Sequence, residues 1–243
     1  MSNQTAQVLL IIPCYNEAKR LKPSGFTAPE GVDLTLVFCD DGSSDNTSQF
    51  LKDSFKGNLK VKVMRENTNV GKAEVIRSGM MWSKQNLTLT SYDWVGFWDA
   101  DLATPMSELP RMLKMHEMDQ SKAIAVIGSR VGLSGANIKR KASRHYLGRI
   151  FVTVADFLLG IKVYDSQCGA KLFKPSVIEK AFSAPFLSRW IFDLEVILRI
   201  GSENIYEVPL KNWEDVPGSK VKIFRESFRV LSDLFQLKRH YKR

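Results

Sequence analysis

Trp94-Val95-Gly96-Phe97-Trp98-Asp99-Ala100-Asp101 passes from five uncharged residues directly into two carboxylates. A short apolar run that ends in a polar turn predicts a buried strand. In extended backbone, residues i and i+2 project to the same side. Asp99 and Asp101 at the strand's end can therefore grip one hard cation. Oxygen ligands suit Mg²⁺ or Mn²⁺, which in turn bridge to a diphosphate. An Asp-x-Asp tripeptide by itself is often a solvated turn. Here the buried strand before it, and a second acid cluster after an earlier strand, make it a candidate metal site.

The same pattern recurs on either side. Residues 8–12 and 34–39 read as buried strands, 60–64 as an alternating one, and 123–127 as another. Helical patterns fill 71–84 and 106–118. The polar clusters at 13–17, 40–45, 99–101 and 128–130 each follow a strand. A doubly wound parallel sheet binds ligands at the carboxyl ends of its strands, so one site built from four loops is expected. In Asp40-Asp41-Gly42-Ser43-Ser44-Asp45, Asp40 is assigned to a nucleoside and Ser44 with Asp45 to capping the next helix. Pro13-Cys14-Tyr15-Asn16-Glu17 supplies a wall for base and ribose. Asn69-Val70-Gly71-Lys72-Ala73 brings an amide, a glycine and a cation to a helix N-terminus, where anions bind. The glycine spacing is not that of a P-loop.

Beyond residue 130 the pattern changes. A basic, Gly/Ser-containing loop (131–143) leads into an apolar helix at 145–161. A polar–apolar cluster at 165–173, a helix at 190–200, a strand at 205–209 and a basic amphipathic helix at 224–239 follow. The helix at 145–161 is open to two readings, a core helix or a helix lying in a membrane interface behind a basic run.

The chain has 243 residues, 44% hydrophobic and 25% charged, the composition of a globular protein. Cys14, Cys39 and Cys168 form no zinc-type cluster, and buried thiols in a reducing cytoplasm are expected. The run at 8–12 is too short for a signal-peptide core, and nothing reaches the roughly 18 apolar residues of a membrane span. The net charge of +9 is uneven: 139–149 carries five basic residues and no acid, and 211–243 nine basic and four acidic. Such patches suit a phosphate-bearing substrate or an anionic membrane surface. Nucleic acid is excluded as a partner, since no matching recognition motif accompanies the charge.

Pro13-Cys14-Tyr15-Asn16-Glu17, the Asp40–Asp45 cluster, Asn69-Val70-Gly71-Lys72 and Asp99-Ala100-Asp101, in this order and spacing, resemble the family 2 inverting glycosyltransferases of GT-A fold. Gly128-Ser129-Arg130, Asp165-Ser166-Gln167-Cys168-Gly169-Ala170-Lys171-Leu172-Phe173, Arg189-Trp190-Ile191-Phe192-Asp193-Leu194-Glu195 and Gly218-Ser219-Lys220 look like the dolichyl-phosphate β-glucosyltransferase branch, related to the dolichyl-phosphate mannose synthases. The resemblance implies an α/β fold with a Rossmann-like, mostly parallel central sheet, helices on both faces and C-terminal amphipathic helices. It implies one domain over 1–243, with 8–130 for the nucleotide sugar and 131–243 for the acceptor and membrane. By the same resemblance Pro13, Tyr15, Glu17, Asp40, Lys72, Asp99 and Ala100 meet the donor, and Asp99 and Asp101 hold Mg²⁺ or Mn²⁺. Arg130 and Lys220 match residues that meet the phosphate groups of donor or acceptor; in the expected reaction they hold the acceptor phosphate, with Arg144 as a further cation. The expected reaction moves glucose from UDP-glucose to a polyprenyl or dolichyl phosphate.

Two alternatives within this chemistry stay open, besides a non-catalytic protein that binds anionic membranes through its basic helices, a reading against which the acidic loops at four strand ends argue. One is a sugar-hydroxyl acceptor, which needs a general base, for which Asp193 is the candidate. The other is GDP-mannose as donor. The mannose synthases place a metal-binding Gln two residues beyond the second Asp, where this chain has Ala103, which disfavours that reading. Eukaryotic members of the glucosyl branch carry an N-terminal anchor; without one here, peripheral attachment to the cytoplasmic membrane face is expected.

Overall fold

The computed structural model describes residues 5–140, 142–216 and 223–241. In chain order its strands are β1 (Ala6–Cys14), β2 (Val32–Asp40), β3 (Val61–Arg65), β4 (Trp94–Trp98), β5 (Ala125–Ser129), β6 (Asn137–Lys139), β7 (Ala170–Phe173), β8 (Ile205–Pro209) and β9 (Asn212–Glu214). The α-helices are α1 (Thr47–Ser54), α2 (Lys72–Asn86), α3 (Glu108–Met118), α4 (Ala142–Leu159), α5 (Ile178–Phe182), α6 (Phe192–Ile200) and α7 (Ile223–Tyr241).

Seven strands form one sheet in the order β3-β2-β1-β4-β7-β5-β8. All pairs are parallel except those of β7, which runs antiparallel to both β4 and β5. Val8 to Ile12 of β1 are wholly buried, because helices cover both faces and a strand so placed needs no polar side. One face packs Val8, Leu10 and Ile12 against Leu51 of α1 and Leu109 and Met112 of α3. The other packs Leu9 and Ile11 against Ile76 and Met80 of α2 and Phe192 and Val196 of α6. A third cluster joins Ala155 and Leu159 of α4, Leu194 and Ile197 of α6, and Leu234 and Leu237 of α7.

The expected α/β architecture is therefore present, and β4 and β8 keep their predicted bounds. The sequence reading did not mark β7 as a strand. Its four residues include Lys171, which breaks the apolar pattern yet is buried. Residues 131–243 thus supply β7 and β8 to the sheet that residues 8–130 begin, and β6 pairs with β9 in a small second sheet.

The apolar positions of α4 divide between two environments. Phe151, Val154 and Leu158 pack inward on the third cluster. The apolar spacing of 145–161 predicts Ile150 and Phe157 on that same face, but they point outward with Tyr146: the three are 61%, 87% and 67% exposed. In α7, Leu231 and Phe235 are likewise exposed, although the amphipathic pattern at 224–239 predicts that they, with Phe224 and Phe228, pack on the sheet. Phe224 and Phe228, named with them, lie outside the described side chains.

Candidate active site

β1, β2 and β4 are parallel neighbours, so their carboxyl-end loops meet at one edge of the sheet. Cys14 stands in register with Asp40, which sets the 13–17 and 40–45 loops side by side. Asp40 is fully buried. Its Oδ1 accepts the Ser43 N–H at 3.0 Å. Its Oδ2 has no hydrogen-bond partner among the described residues, and Arg65 Nε stands 3.7 Å away. A buried carboxylate oxygen lacking a donor is one that a ligand N–H or O–H can satisfy.

Asp41 has a different task. It accepts the N–H groups of Val70 at 2.7 Å and Gly71 at 2.9 Å, and the Asn69 side-chain amide at 2.9 Å. It therefore fixes the 69–71 loop, and the Asn69 amide, expected to meet an anionic ligand, serves that loop. Asp45 accepts the Thr47 N–H at 3.0 Å at the entrance of α1, but the N-cap position expected of Ser44 or Asp45 is held by Asn46, without a side-chain cap hydrogen bond. Asn16 adds a second brace, its Oδ1 accepting the Ser44 N–H at 2.9 Å.

Of the base-wall residues, Tyr15 is at the exposed rim and Pro13 is half-buried. Glu17 is buried and turned onto Arg20, which donates to both its oxygens. The Arg20 charge is favoured first by that hydrogen bond, and also by the carboxylates of Asp101 and Asp99. Glu17 thus bears on the site through Arg20. Ala100 is buried in the core, so it offers the site backbone alone.

The carboxylate pair sits on a tightly held turn. The Asp99 N–H donates to Gly169 O at 3.0 Å, and Asp101 Oδ1 accepts the Ala103 N–H at 3.1 Å. Leu102, the next residue, takes φ 52°, a left-handed conformation that costs a non-glycine residue about 1–3 kcal/mol. Burial first, then the charge of Asp99, pushes the Asp101 pKa up, against the pull of the Ala103 N–H, Lys72 and Arg20. Lys72, the first residue of α2, reaches Asp99 Oδ1 at 2.5 Å. Partial burial disfavours the lysine's charge; Asp99, Asp193 and Asp101 outweigh it and raise its pKa. The side chain remains 44% exposed, which leaves the ammonium reachable by a ligand.

Gly169 leaves the room that the Asp99 carboxylate occupies. A Cβ there would fall 1.9 Å from Asp99 Oδ2 and 2.2 Å from Asp99 Cγ. Gly169→Ala should displace the carboxylate and cut turnover by more than about tenfold, since misplacement near 1 Å can cost a hundredfold. A thermal melt beside the activity assay checks that the fold survives; wild-type turnover in this variant would remove Gly169 from the site.

Arg130, expected at an acceptor phosphate, forms a forked pair with Asp165, Nε to Oδ2 at 2.6 Å and Nη2 to Oδ1 at 2.7 Å. The guanidinium also stands 5.4 Å from the centre of the Trp213 ring. Burial works against the Asp165 carboxylate, but the charge and hydrogen bonds of Arg130 hold its pKa below the usual value. Only Nη1 lies outside that fork. Asp193, the candidate base, is paired with Lys171 Nζ at 2.6 Å, and both side chains are buried, 7% and 1% exposed. Arg144 lies in α4 with its side chain outside the described residues, as does Lys220 entirely.

Sequence reasoning missed Arg20, Asp165, Gly169 and Lys171 as site residues. The i,i+3 spacing of Glu17 and Arg20 was the one local signal available for such a pairing.

The scaffold and its acid pair together define a nucleotide-sugar transferase of the GT-A type. The model of Glycosyl transferase family 2 matches residues 9–182, and the chain belongs to that family. It is 30% identical to the dolichyl-phosphate β-glucosyltransferase of Saccharomyces cerevisiae over 256 residues, covering 96% of this chain and 74% of that one. It is 29% identical to the human dolichyl-phosphate β-glucosyltransferase over 264 residues, covering 98% and 76%. Among solved structures, mannosyl-3-phosphoglycerate synthase from Rubrobacter xylanophilus superposes with a TM-score of 0.70 at 14% identity, covering 97% of this chain and 74% of that one. Glucosyl-3-phosphoglycerate synthase from Mycobacterium tuberculosis, in complex with Mn²⁺, UDP and glucosyl-3-phosphoglycerate, gives 0.65 at 19%, covering 96% and 80%.

Proposed function

We propose that this glycosyltransferase moves glucose from UDP-glucose to the phosphate of a polyprenyl or dolichyl lipid at an anionic membrane surface on the cytoplasmic side. The observation that carries the reading is the Asp99/Asp101 pair with Lys72 beside it, at the sheet edge where Asp40 keeps an oxygen free. The relatives at about 30% identity are named for transfer to dolichyl phosphate, and a solved neighbour of the same fold holds Mn²⁺ and UDP.

The donor set fits a divalent cation. Asp99 and Asp101 offer hard oxygens, and their mutual repulsion, visible in the raised pKa of Asp101, is relieved by positive charge. Among the described residues no group of three His, Cys, Asp or Glu side chains gathers there, so two protein carboxylates would hold Mg²⁺ or Mn²⁺, with diphosphate and water as the other ligands. When bound, the ion neutralises charge on the departing nucleoside diphosphate. Asp40 Oδ2 accepts the base N–H, and Tyr15 and Pro13 border the base. Lys72 turns from Asp99 to a phosphate oxygen. Arg130 is held in a fork by Asp165, and with Lys220 and Arg144 it is the cation assigned to the acceptor phosphate.

A phosphate acceptor is already mostly ionised at neutral pH, with a second pKa near about 6, and requires no base. The engagement of Asp193 agrees with this, since its Oδ1 is already occupied by the buried Lys171 ammonium at 2.6 Å. Labelled UDP-glucose, Mn²⁺ and polyprenyl phosphate should yield a glucosylated lipid. Formation of a labelled product only with hydroxyl acceptors would overturn the reading.

Among the described residues no helix is long and apolar enough to cross a membrane. Tyr146, Ile150 and Phe157 instead line one outward face of α4, near the basic Lys139, Arg140 and Arg149. That combination suits an anionic interface. Each apolar side chain fully buried is worth about 1.5–3 kcal/mol. The I150S/F157S double variant should therefore lose about tenfold or more in binding to phosphatidylglycerol vesicles, with an unchanged melting temperature. Equal flotation of variant and wild type would leave α4 without a membrane role.

A further inference from the structure

Gly71, at the N-terminus of α2, takes φ 92° and lies directly under a residue from the other half of the chain. A Cβ on Gly71 would come within 2.7 Å of Arg189 Nη2, 2.9 Å of Nε and 3.2 Å of Cζ. The guanidinium therefore rests on the Gly71 backbone, one residue from Lys72 and its bond to Asp99. The Asp41 carboxylate feels the Arg189 charge, but its oxygens already take the N–H groups of Val70, Gly71 and Asn69. Among the described residues Arg189 forms no ion pair, and it is exposed.

The backbone carrying this arginine is pinned on both sides. Ser188 Oγ accepts the N–H groups of Trp190 and Ile191, each at 3.1 Å, and donates to Asp233 of α7 at 2.5 Å. The Leu187 N–H donates to Glu195 Oε2 at 2.8 Å. The other oxygen of Glu195 is held by Arg199 at 2.8 Å and by the Tyr241 hydroxyl at 2.9 Å. Two helices thus fix where Arg189 begins, and its guanidinium lies over the Gly71 backbone.

A guanidinium with no ion-pair partner among the described residues, next to an ammonium and the positive end of a 15-residue helix, is a phosphate site in its chemistry. We infer that Arg189 binds a phosphate oxygen in this cleft. The inference rests on the functional reading above for the source of that phosphate, which is either the nucleoside diphosphate or the phosphate acceptor. Gly71 is required because any side chain there would push the guanidinium out of reach.

The test compares wild type, Arg189→Gln and Arg189→Lys by calorimetric titration of UDP and of uridine with Mn²⁺, and by KM for polyprenyl phosphate. If the diphosphate is the ligand, Arg189→Gln should weaken UDP by about tenfold to a hundredfold and leave uridine unchanged, with Arg189→Lys in between. If the acceptor is the ligand, UDP binding stays and the acceptor KM rises by a similar factor. The inference fails if neither quantity moves, or if uridine weakens in step with UDP, because loss of base binding reports a shifted loop. A wild type that binds no UDP breaks the functional reading; titration of inorganic pyrophosphate against the same three proteins then decides Arg189 alone.

Discussion

Asp101→Asn should abolish sugar transfer while leaving the protein as stable as before, or more so. In the wild type this carboxylate is half-buried beside a second one, and its pKa is pushed up first by burial and then by Asp99. An amide removes that repulsion and the desolvated charge, and its oxygen can still accept the Ala103 N–H that the carboxylate accepts at 3.1 Å. The turn therefore survives. What disappears is one of two hard anionic ligands for a divalent cation. Altering groups that merely orient a metal's ligands costs about 10–100-fold, so loss of a ligand itself should cost at least about a hundredfold in turnover at ordinary Mn²⁺. The measurements are UDP-glucose turnover across a Mn²⁺ series and a thermal melt. Undiminished turnover with an unaltered Mn²⁺ requirement would end the assignment of Asp101 to the metal.

The part of this site that could be read from the sequence is the part where chemistry follows a strand. Asp40, Asp99 and Asp101 each terminate a run of buried residues, and a parallel sheet must bring such ends together. What stayed hidden depends on contacts between distant segments. Nothing local in Gly71 announces Arg189, and nothing in Gly128-Ser129-Arg130 announces Asp165. Arg130 looked like a free cation because its partner lies 35 residues away. The fold shows the same division. β4 and β8 were delimited correctly because they carry an uninterrupted strand pattern between polar turns. β7 was missed because its third dimension is needed to explain a lysine in mid-strand, and β6 and β9 because three residues each are too few for a period to show.

Lys171→Met should be the most destabilising of the single substitutions considered, and a second change should repair it. Lys171 Nζ is buried between Asp193 Oδ1 at 2.6 Å and Cys168 O at 2.5 Å, and it lies 5.2 Å from the centre of the Phe97 ring. Removing one partner of a buried pair leaves the other charge desolvated and uncompensated, at a cost of about 3–5 kcal/mol. Asp193→Asn should cost a similar amount for the mirror reason, so loss of activity in that variant alone says nothing about a general base. The discriminating protein is the double variant Lys171→Met with Asp193→Leu. Replacing a whole buried pair with apolar residues of similar volume is often neutral or stabilising, so its denaturation midpoint should return towards that of the wild type. If Asp193 only positions β7 against α6, the repaired protein should keep a substantial part of its turnover and the same pH–rate profile. If Asp193 were the base for a hydroxyl acceptor, stability would return while turnover stayed abolished. That split, measured by denaturant melts and pH–rate profiles on one preparation, separates the structural role of the pair from the catalytic alternative.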